Sequence, residues 1–178
     1  MSDHEKLDRL LAAAEHGDIA AMTHAAFILT RGLEAAGAHP ALAADLPRAL
    51  ALYEHAAAAG SLIAQYNLGC FYMSSAARNY QSAQHWLERA AQGGDADAQF
   101  TLAYMLQRGL PGMPDHAGAY YWYKKAAYNG SGRAQYDLAC IYLNGQGVDC
   151  DREKAIYWFE QAAQAGISRA RAHLLELQ

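Results

Sequence analysis

Proline is scarce in this sequence, at four residues in 178. Long stretches therefore lack the residue that removes a backbone donor and breaks helices. Phenylalanine is as rare, and valine and isoleucine are few beside the alanines. That balance argues against a sheet-built protein and favours helix. There are three cysteines, an odd number, and none forms a CxxC pair. The eight histidines do not cluster with them, so no zinc site is expected. Free thiols are the expectation in a reducing compartment, although Cys140 and Cys150 lie close enough in sequence for a bridge to be conceivable. There is no excess of basic charge. The formal net charge is −4, with eight acids against four bases in residues 1–60 and ten of each in the remainder. Without a basic stripe, a nucleic-acid partner is not expected. No window approaches the ~18 apolar residues of a membrane span. The start, Met1 to Leu11, is charged rather than apolar. No secretory signal is visible in it, and the cytoplasm is the expected compartment.

What the chain does have is alanine, tryptophan and glycine at fixed spacing. Reading back from the C-terminus, Trp158-Phe159, Ala162-Ala163 and Gly166 recur as Trp122-Tyr123, Ala126-Ala127 and Gly130. They recur again as Trp86-Leu87, Ala90-Ala91 and Gly94, and then as Leu52-Tyr53, Ala56-Ala57 and Gly60. A degenerate copy, Arg9-Leu10, Ala13-Ala14 and Gly17, opens the chain. Each glycine leads into a second pattern, clearest as Ala64-Gln65, Ala98-Gln99 and Ala134-Gln135, each with a leucine four residues after the alanine. Ala155, Trp158, Phe159, Ala162 and Ala163 lie at helical spacing and form one apolar face. Each unit therefore reads as two antiparallel helices of about 12–15 residues. Such helices cannot bury their faces alone, so the units must stack. Cys70 and Cys140 share a register two units apart, too far for the ~7 Å reach of a disulfide between alpha carbons.

Small residues at 69, 103 and 139 let the helices of a unit approach closely. The tryptophans are expected to fill the space between units, and truncating Trp122 to alanine is expected to cost about 3–5 kcal/mol. Gly17, Gly60, Gly94, Gly130 and Gly166 stand where a left-handed residue ends a helix. Asp18, Ser61, Asp95 and Ser131 follow as N-cap candidates. The Gly145-Gln146-Gly147 sequence lacks the third glycine, the strand and the Lys-Ser/Thr of a phosphate loop, and reads as a turn, like Gly109 to Gly112. Asp149, Asp151 and Glu153 suit the start of a helix rather than a metal site. The first unit is longer than the others. Its excess lies in Gly32 to Pro47, a longer loop preceding a helix at 48–59. Whether residues 32–47 touch a partner is left open. The final helix, Ile167 to Leu177, is a C-terminal cap with Arg169, Arg171, His173 and Glu176 outward.

The run Ala-Gln-x-x-Leu, then Gly-x-Gly-Val, Asp-x-x-Lys-Ala-x-x-Trp-Phe and Ala-Ala-x-x-Gly resembles the Sel-one-like repeat, a relative of the tetratricopeptide repeat. The copy from Ala134 to Gly166 matches nearly throughout, and the resemblance covers essentially the whole chain. It implies an all-α fold, an α/α solenoid wound as a right-handed superhelix of about four repeats. The repeats would be 18–60, 61–94, 95–130 and 131–166, with capping helices at 1–17 and 167–178, all in one domain of 1–178. By tetratricopeptide analogy the first helix of each repeat lines a concave face. The partner-contacting residues would be Phe27, Arg31, Tyr66, Met73, Phe100, Tyr104, Gln107, Arg108, Arg133, Tyr136 and Asn144. Thr23, Cys70, Ser74, Asp97, Cys140 and Leu143 fall in the same register.

No nucleophile, base and orienting group come together in the pattern, so no catalytic residue, cofactor or metal is expected. The function implied is a non-enzymatic protein–protein interaction module, an adaptor or scaffold that takes a protein or peptide. Homo-oligomerisation is possible. One alternative is a toxin-neutralising immunity protein. Another, from a different class, is a β-lactam-binding hydrolase like the family's cysteine-rich relatives. Those carry a disulfide pair in each repeat and an export signal, and neither feature is visible here.

Overall fold

The computed structural model describes residues 3–32, 43–74 and 78–177. Among them the regular structure is entirely helical. The order is α1 (Asp3–Glu15), α2 (Ile19–Arg31), α3 (Leu46–Ala58), α4 (Leu62–Met73), α5 (Tyr80–Gln92), α6 (Ala96–Arg108), α7 (His116–Tyr128), α8 (Gly132–Asn144), α9 (Arg152–Gln164) and α10 (Ser168–Glu176). The chain divides into two compact units, Met1–Ala77 and Arg78–Gln178. Within each unit every helix packs on its neighbours in sequence. The architecture is an all-α repeat solenoid. The predicted helix at 48–59 is α3, which starts two residues earlier because Pro47 fits the first turn, where its missing N–H costs nothing. Of the long loop before it, residues 33–42 lie outside the described residues.

Local chemistry sets these boundaries. Helices α2 to α9 each begin on an Asp, Ser or Asn whose side chain accepts an amide N–H of the first turn. Asp95 accepts from Ala98 at 2.7 Å, and Asp18 accepts from Ala21 at 3.0 Å. The glycines that end the odd-numbered helices have φ between +85° and +97°, a region closed to most side chains. Gly145 and Gly147 belong to a turn. Gly147 passes so close to the start of α7 that a Cβ on it would lie 2.6 Å from the His116 carbonyl oxygen. Asp151 caps α9 and pairs with Lys154 at 2.6 Å, which holds its carboxyl below the ordinary value.

Packing assigns the core differently from the sequence expectation in one respect. The residues without exposure are those that follow the tryptophans: Leu87, Tyr123 and Phe159. Trp86 and Trp122 are only half-buried, and Trp158 alone of the three is buried, with Tyr128 edge-on to it at 5.1 Å. Trp86 and Trp122 lie at the margin of the helix contact, where an indole fits less readily beside the alanine pairs than Leu87 or Tyr123 does. The alanines do what their size allows. Ala56, Ala57, Ala90, Ala126, Ala64, Ala98 and Ala134 have no exposed surface.

The Ala-Gln pairs have a further role. Gln65, Gln99 and Gln135 each donate a side-chain N–H to a carbonyl near the end of the preceding odd-numbered helix. The acceptors are Ala57 at 3.0 Å, Ala91 at 3.0 Å and Ala127 at 3.3 Å. Those carbonyls are among the last four of a helix, beyond the reach of its i→i+4 ladder, and each accepts the glutamine alongside the N–H of the glycine three residues on. The glutamine thus ties one helix of a repeat to the next. Gln99 is satisfied at both ends, because Asn129 Nδ2 donates to its Oε1 at 2.9 Å. The buried Oε1 atoms of Gln65 and Gln135 have no hydrogen-bond partner among the described residues.

Candidate partner-binding site

The predicted contact residues all lie on the even-numbered helices α2, α4, α6 and α8. None of them is fully buried. In the first unit, Phe27 on α2 is 45% exposed, and the Arg31 guanidinium lies 5.5 Å from the centre of its ring. Tyr66 and Met73 on α4 are half-buried. A cavity of about 650 Å³ runs between these two helices, lined by Ile19, Thr23, His24, Phe27, Ile63 and Asn67 among others. Ile19 and Ile63 are exposed, at 38% and 61%. Those large apolar side chains, on a face that also bears Phe27, make this an apolar opening.

In the second unit, Tyr104 on α6 is 38% exposed and carries Arg108 over its ring at 5.4 Å. The two pairs share a register. Phe27 and Tyr104 lie six residues after the alanines at 21 and 98, and the arginines lie four further on, so both pairs sit one turn apart on a helix face. An arginine over an aromatic face is held by cation–π attraction and keeps its remaining donors for a partner. Gln107 is turned toward the core, where its Oε1 accepts the Tyr123 hydroxyl at 3.1 Å. Burial pushes that Tyr123 hydroxyl far above its ordinary range. Phe100 packs edge-on to Tyr123 at 5.7 Å. Asn144, the last residue of α8, is exposed.

Tyr136 joins three elements. Its ring packs on Phe159 at 5.7 Å, and its hydroxyl meets His173 Nε2 at 3.1 Å. His173 is half-buried and stacks on Phe159 at 5.0 Å, so its predicted outward position is corrected. The reason is the cap itself: α10 lays that face over the end of the core, and an imidazole covers Phe159 while its nitrogen finds the tyrosine. Arg133 and Tyr136 open on a second cavity, of about 450 Å³, shared with Phe100, Asp137, Ser168 and Arg169. Burial pushes the Asp137 carboxyl up to about 6, with Arg169 pulling in the opposite direction. Burial also raises the neighbouring Cys140 thiol. No disulfide joins Cys70, Cys140 or Cys150.

The sequence reading did not assign Asp137, Ser168, Arg169, Ile19 or Ile63 to this surface. A signal was present for two of them. Ile63, Asp97, Arg133 and Arg169 all stand one residue before the alanine of an even-numbered helix. Extending the register into the capping helix places Arg169 beside Arg133. Asp137 has no such signal, because its significance comes from burial. Among the described residues no cluster of three or more His, Cys, Asp or Glu side chains is placed to hold a metal ion. No helix among them is long and apolar enough to cross a membrane.

Comparison with known proteins agrees with the repeat architecture. Sel1 repeats match residues 20–61, 62–95, 96–131 and 132–167. A Sel1 repeat protein from Oxalobacter formigenes has a solved structure that superposes with a TM-score of 0.85 over 99% of this chain and 50% of that one, at 28% identity. The structure of c5321, a protective antigen of uropathogenic Escherichia coli with the same repeat fold, superposes with a TM-score of 0.83 over 96% of this chain and 36% of that one, also at 28% identity. An F-box protein of Arabidopsis thaliana is 32% identical over 104 residues, which is 58% of this chain and 26% of that protein. The chain thus spans about a quarter of this curated relative and at most half of the two structures. With four matched repeats spanning residues 20–167, the chain belongs to the Sel1 repeat family, in general a protein-interaction rather than a catalytic fold.

Proposed function

We propose that this protein is a non-enzymatic adaptor or scaffold that binds a protein or peptide segment on the face of its even-numbered helices. The observation that carries this reading is the pair of exposed aromatic–arginine stacks, Phe27 with Arg31 and Tyr104 with Arg108, at one register of α2 and α6. A half-exposed aromatic has apolar area left to bury, and an interface buries it favourably. Aromatic and arginine side chains are also the residues that most often dominate binding energy. The family's general role supports the same reading. On this proposal residues 1–178 act as one interaction domain in the cytoplasm, with no catalytic residue and no cofactor. Tyr66 and Met73 join Phe27 and Arg31 on the contact face of the first unit; Phe100, Arg133, Tyr136 and Asn144 join Tyr104 and Arg108 on that of the second, while Gln107 supports the latter from behind.

The test begins with affinity capture from the native host and identification of the captured protein by mass spectrometry. Calorimetry then compares that protein's affinity for the wild type and for a Tyr104→Ala/Arg108→Ala variant. The expected result is a loss of at least ~10-fold, since stacked interface residues of this kind each contribute more than about 1 kcal/mol. Unchanged affinity in the folded variant overturns the placement of the site.

A further inference from the structure

The cavity between α8 and α10 has a chemistry that the general interaction role does not specify. Arg133 and Arg169 occupy the same register of successive even-numbered helices and line the same opening. Both are exposed. Neither forms a salt bridge with another described residue. Asp137 is the carboxyl that shares the cavity, and it lies farther from both guanidiniums than salt-bridge contact. Two cations thus face one carboxyl, leaving a net positive site with unpaired N–H donors. The remaining walls are Phe100, Tyr136 and Ile167, which suit a short apolar stem, and Ser168 adds a hydroxyl.

We infer that this cavity recognises a carboxylate side chain, a glutamate or aspartate carried on an acidic segment of a partner protein. The inference rests on the interaction reading above. Guanidinium groups bind carboxylates through paired, parallel N–H donors, and this geometry is specific as well as favourable. The aromatic rings receive the methylene stem of the acid, and the two arginines converge on its head. The opening, at about 450 Å³, admits such a side chain together with part of its flanking backbone. The cavity at α7 does not offer this. Lys124 and Lys125 on α7 are each engaged over a tyrosine ring, and a lysine is a point charge rather than a fork.

Fluorescence anisotropy of a labelled peptide tests the assignment. The probe is a fluorescein-labelled, C-terminally amidated Phe-Glu-Glu-Phe segment, so its only carboxylates are side chains. The control is the same peptide with glutamine in place of glutamate. The glutamate peptide is expected to bind at least ~10-fold more tightly, with affinity that weakens as salt rises. Arg133→Gln/Arg169→Gln should remove that preference, and Arg133→Lys/Arg169→Lys should restore part of it. Equal binding of the two peptides overturns the inference, as does a preference that survives the double glutamine variant. A free C-terminal acid on the glutamine peptide that binds as well as the glutamates also overturns it, by assigning the cavity to a chain end. Calorimetry on the captured partner separates this inference from the broader reading. If Arg133→Gln/Arg169→Gln leaves that affinity unchanged while Tyr104→Ala/Arg108→Ala abolishes it, the carboxylate assignment fails and the interaction reading stands.

Discussion

Introducing asparagine at Ala165 should make the protein more stable. The reasoning starts from Gln99 and Gln135, which sit at the same place in successive repeats. Both donate to the carbonyl of an alanine at the end of the preceding helix. Gln99 also accepts from Asn129, whereas the Gln135 Oε1 is buried without a partner among the described residues. Ala165 fills in its repeat the slot that Asn129 fills in the one before. Its backbone already has the required shape, with φ −72° and ψ 2° against φ −81° and ψ 12° at Asn129. A new amide there meets an acceptor that now bears its desolvation alone. A net hydrogen bond contributes about 1 kcal/mol, and relieving an unsatisfied buried acceptor about 1–3 kcal/mol. Against this stand the lower helix preference of asparagine and the cost of ordering its side chain, together about 1 kcal/mol. The expected gain is about 1–2 kcal/mol, or roughly 3–6 °C in melting temperature for a chain of this size. Urea unfolding and a thermal scan of Ala165→Asn measure it. The reverse change, Asn129→Ala, should cost a similar amount. An Ala165→Asn protein that melts at or below the wild type refutes the repeat-to-repeat transfer.

Three further outcomes follow from the packing and charge. Tyr123→Ala should destabilise the protein by about 3–5 kcal/mol and Trp122→Ala by about half as much, because Tyr123 has no exposed surface and Trp122 is half-buried; chemical denaturation checks the order, and a larger loss at Trp122 reverses the core assignment. Asp95→Ala, which removes the 2.7 Å cap of α6, should cost about 1 kcal/mol by the same measurement, and Asp95→Asn should recover most of it. Asp137 binds its proton more tightly in the folded state, rising from an ordinary 3.8 to about 6, so its contribution favours folding at low pH and is lost as pH rises through 6. Asp137→Asn should therefore match the wild type near pH 4 and exceed it by about 1–2 kcal/mol at pH 7, a figure discounted for its half-buried position; a difference that does not change with pH contradicts the role given to burial.

Much of this fold is legible in the sequence because its rules are local. A glycine after an alanine pair and an Asp or Ser next to it define where helices stop and start, wherever they occur. The left-handed glycines and the four predicted caps stand where their residue types demand. Helical period does not rank the residues on an apolar face. Trp122 and Tyr123 both satisfy it, and only packing against the alanine pairs decides that the smaller ring goes inside. The same holds for His173, which reads as an exposed cap residue until α10 is laid over Phe159. Asp137 is the extreme case. A carboxyl on a helix face reads as solvated, and its raised pKa exists only because neighbouring elements take water from it. The proposed contact surface lies between these extremes. Its register is periodic and can be counted, but whether a side chain such as Gln107 faces outward or toward Tyr123 is a property of the assembled repeat.

The central claim is that the exposed aromatic–arginine pairs hold a protein partner. It is tested most directly by calorimetric titration of the captured partner against the wild type, Phe27→Ala/Arg31→Ala and Tyr104→Ala/Arg108→Ala, each checked for an unchanged melt. The account predicts a loss of at least ~10-fold for each pair, because each of its two residues contributes more than about 1 kcal/mol. Full wild-type affinity in both folded variants contradicts it.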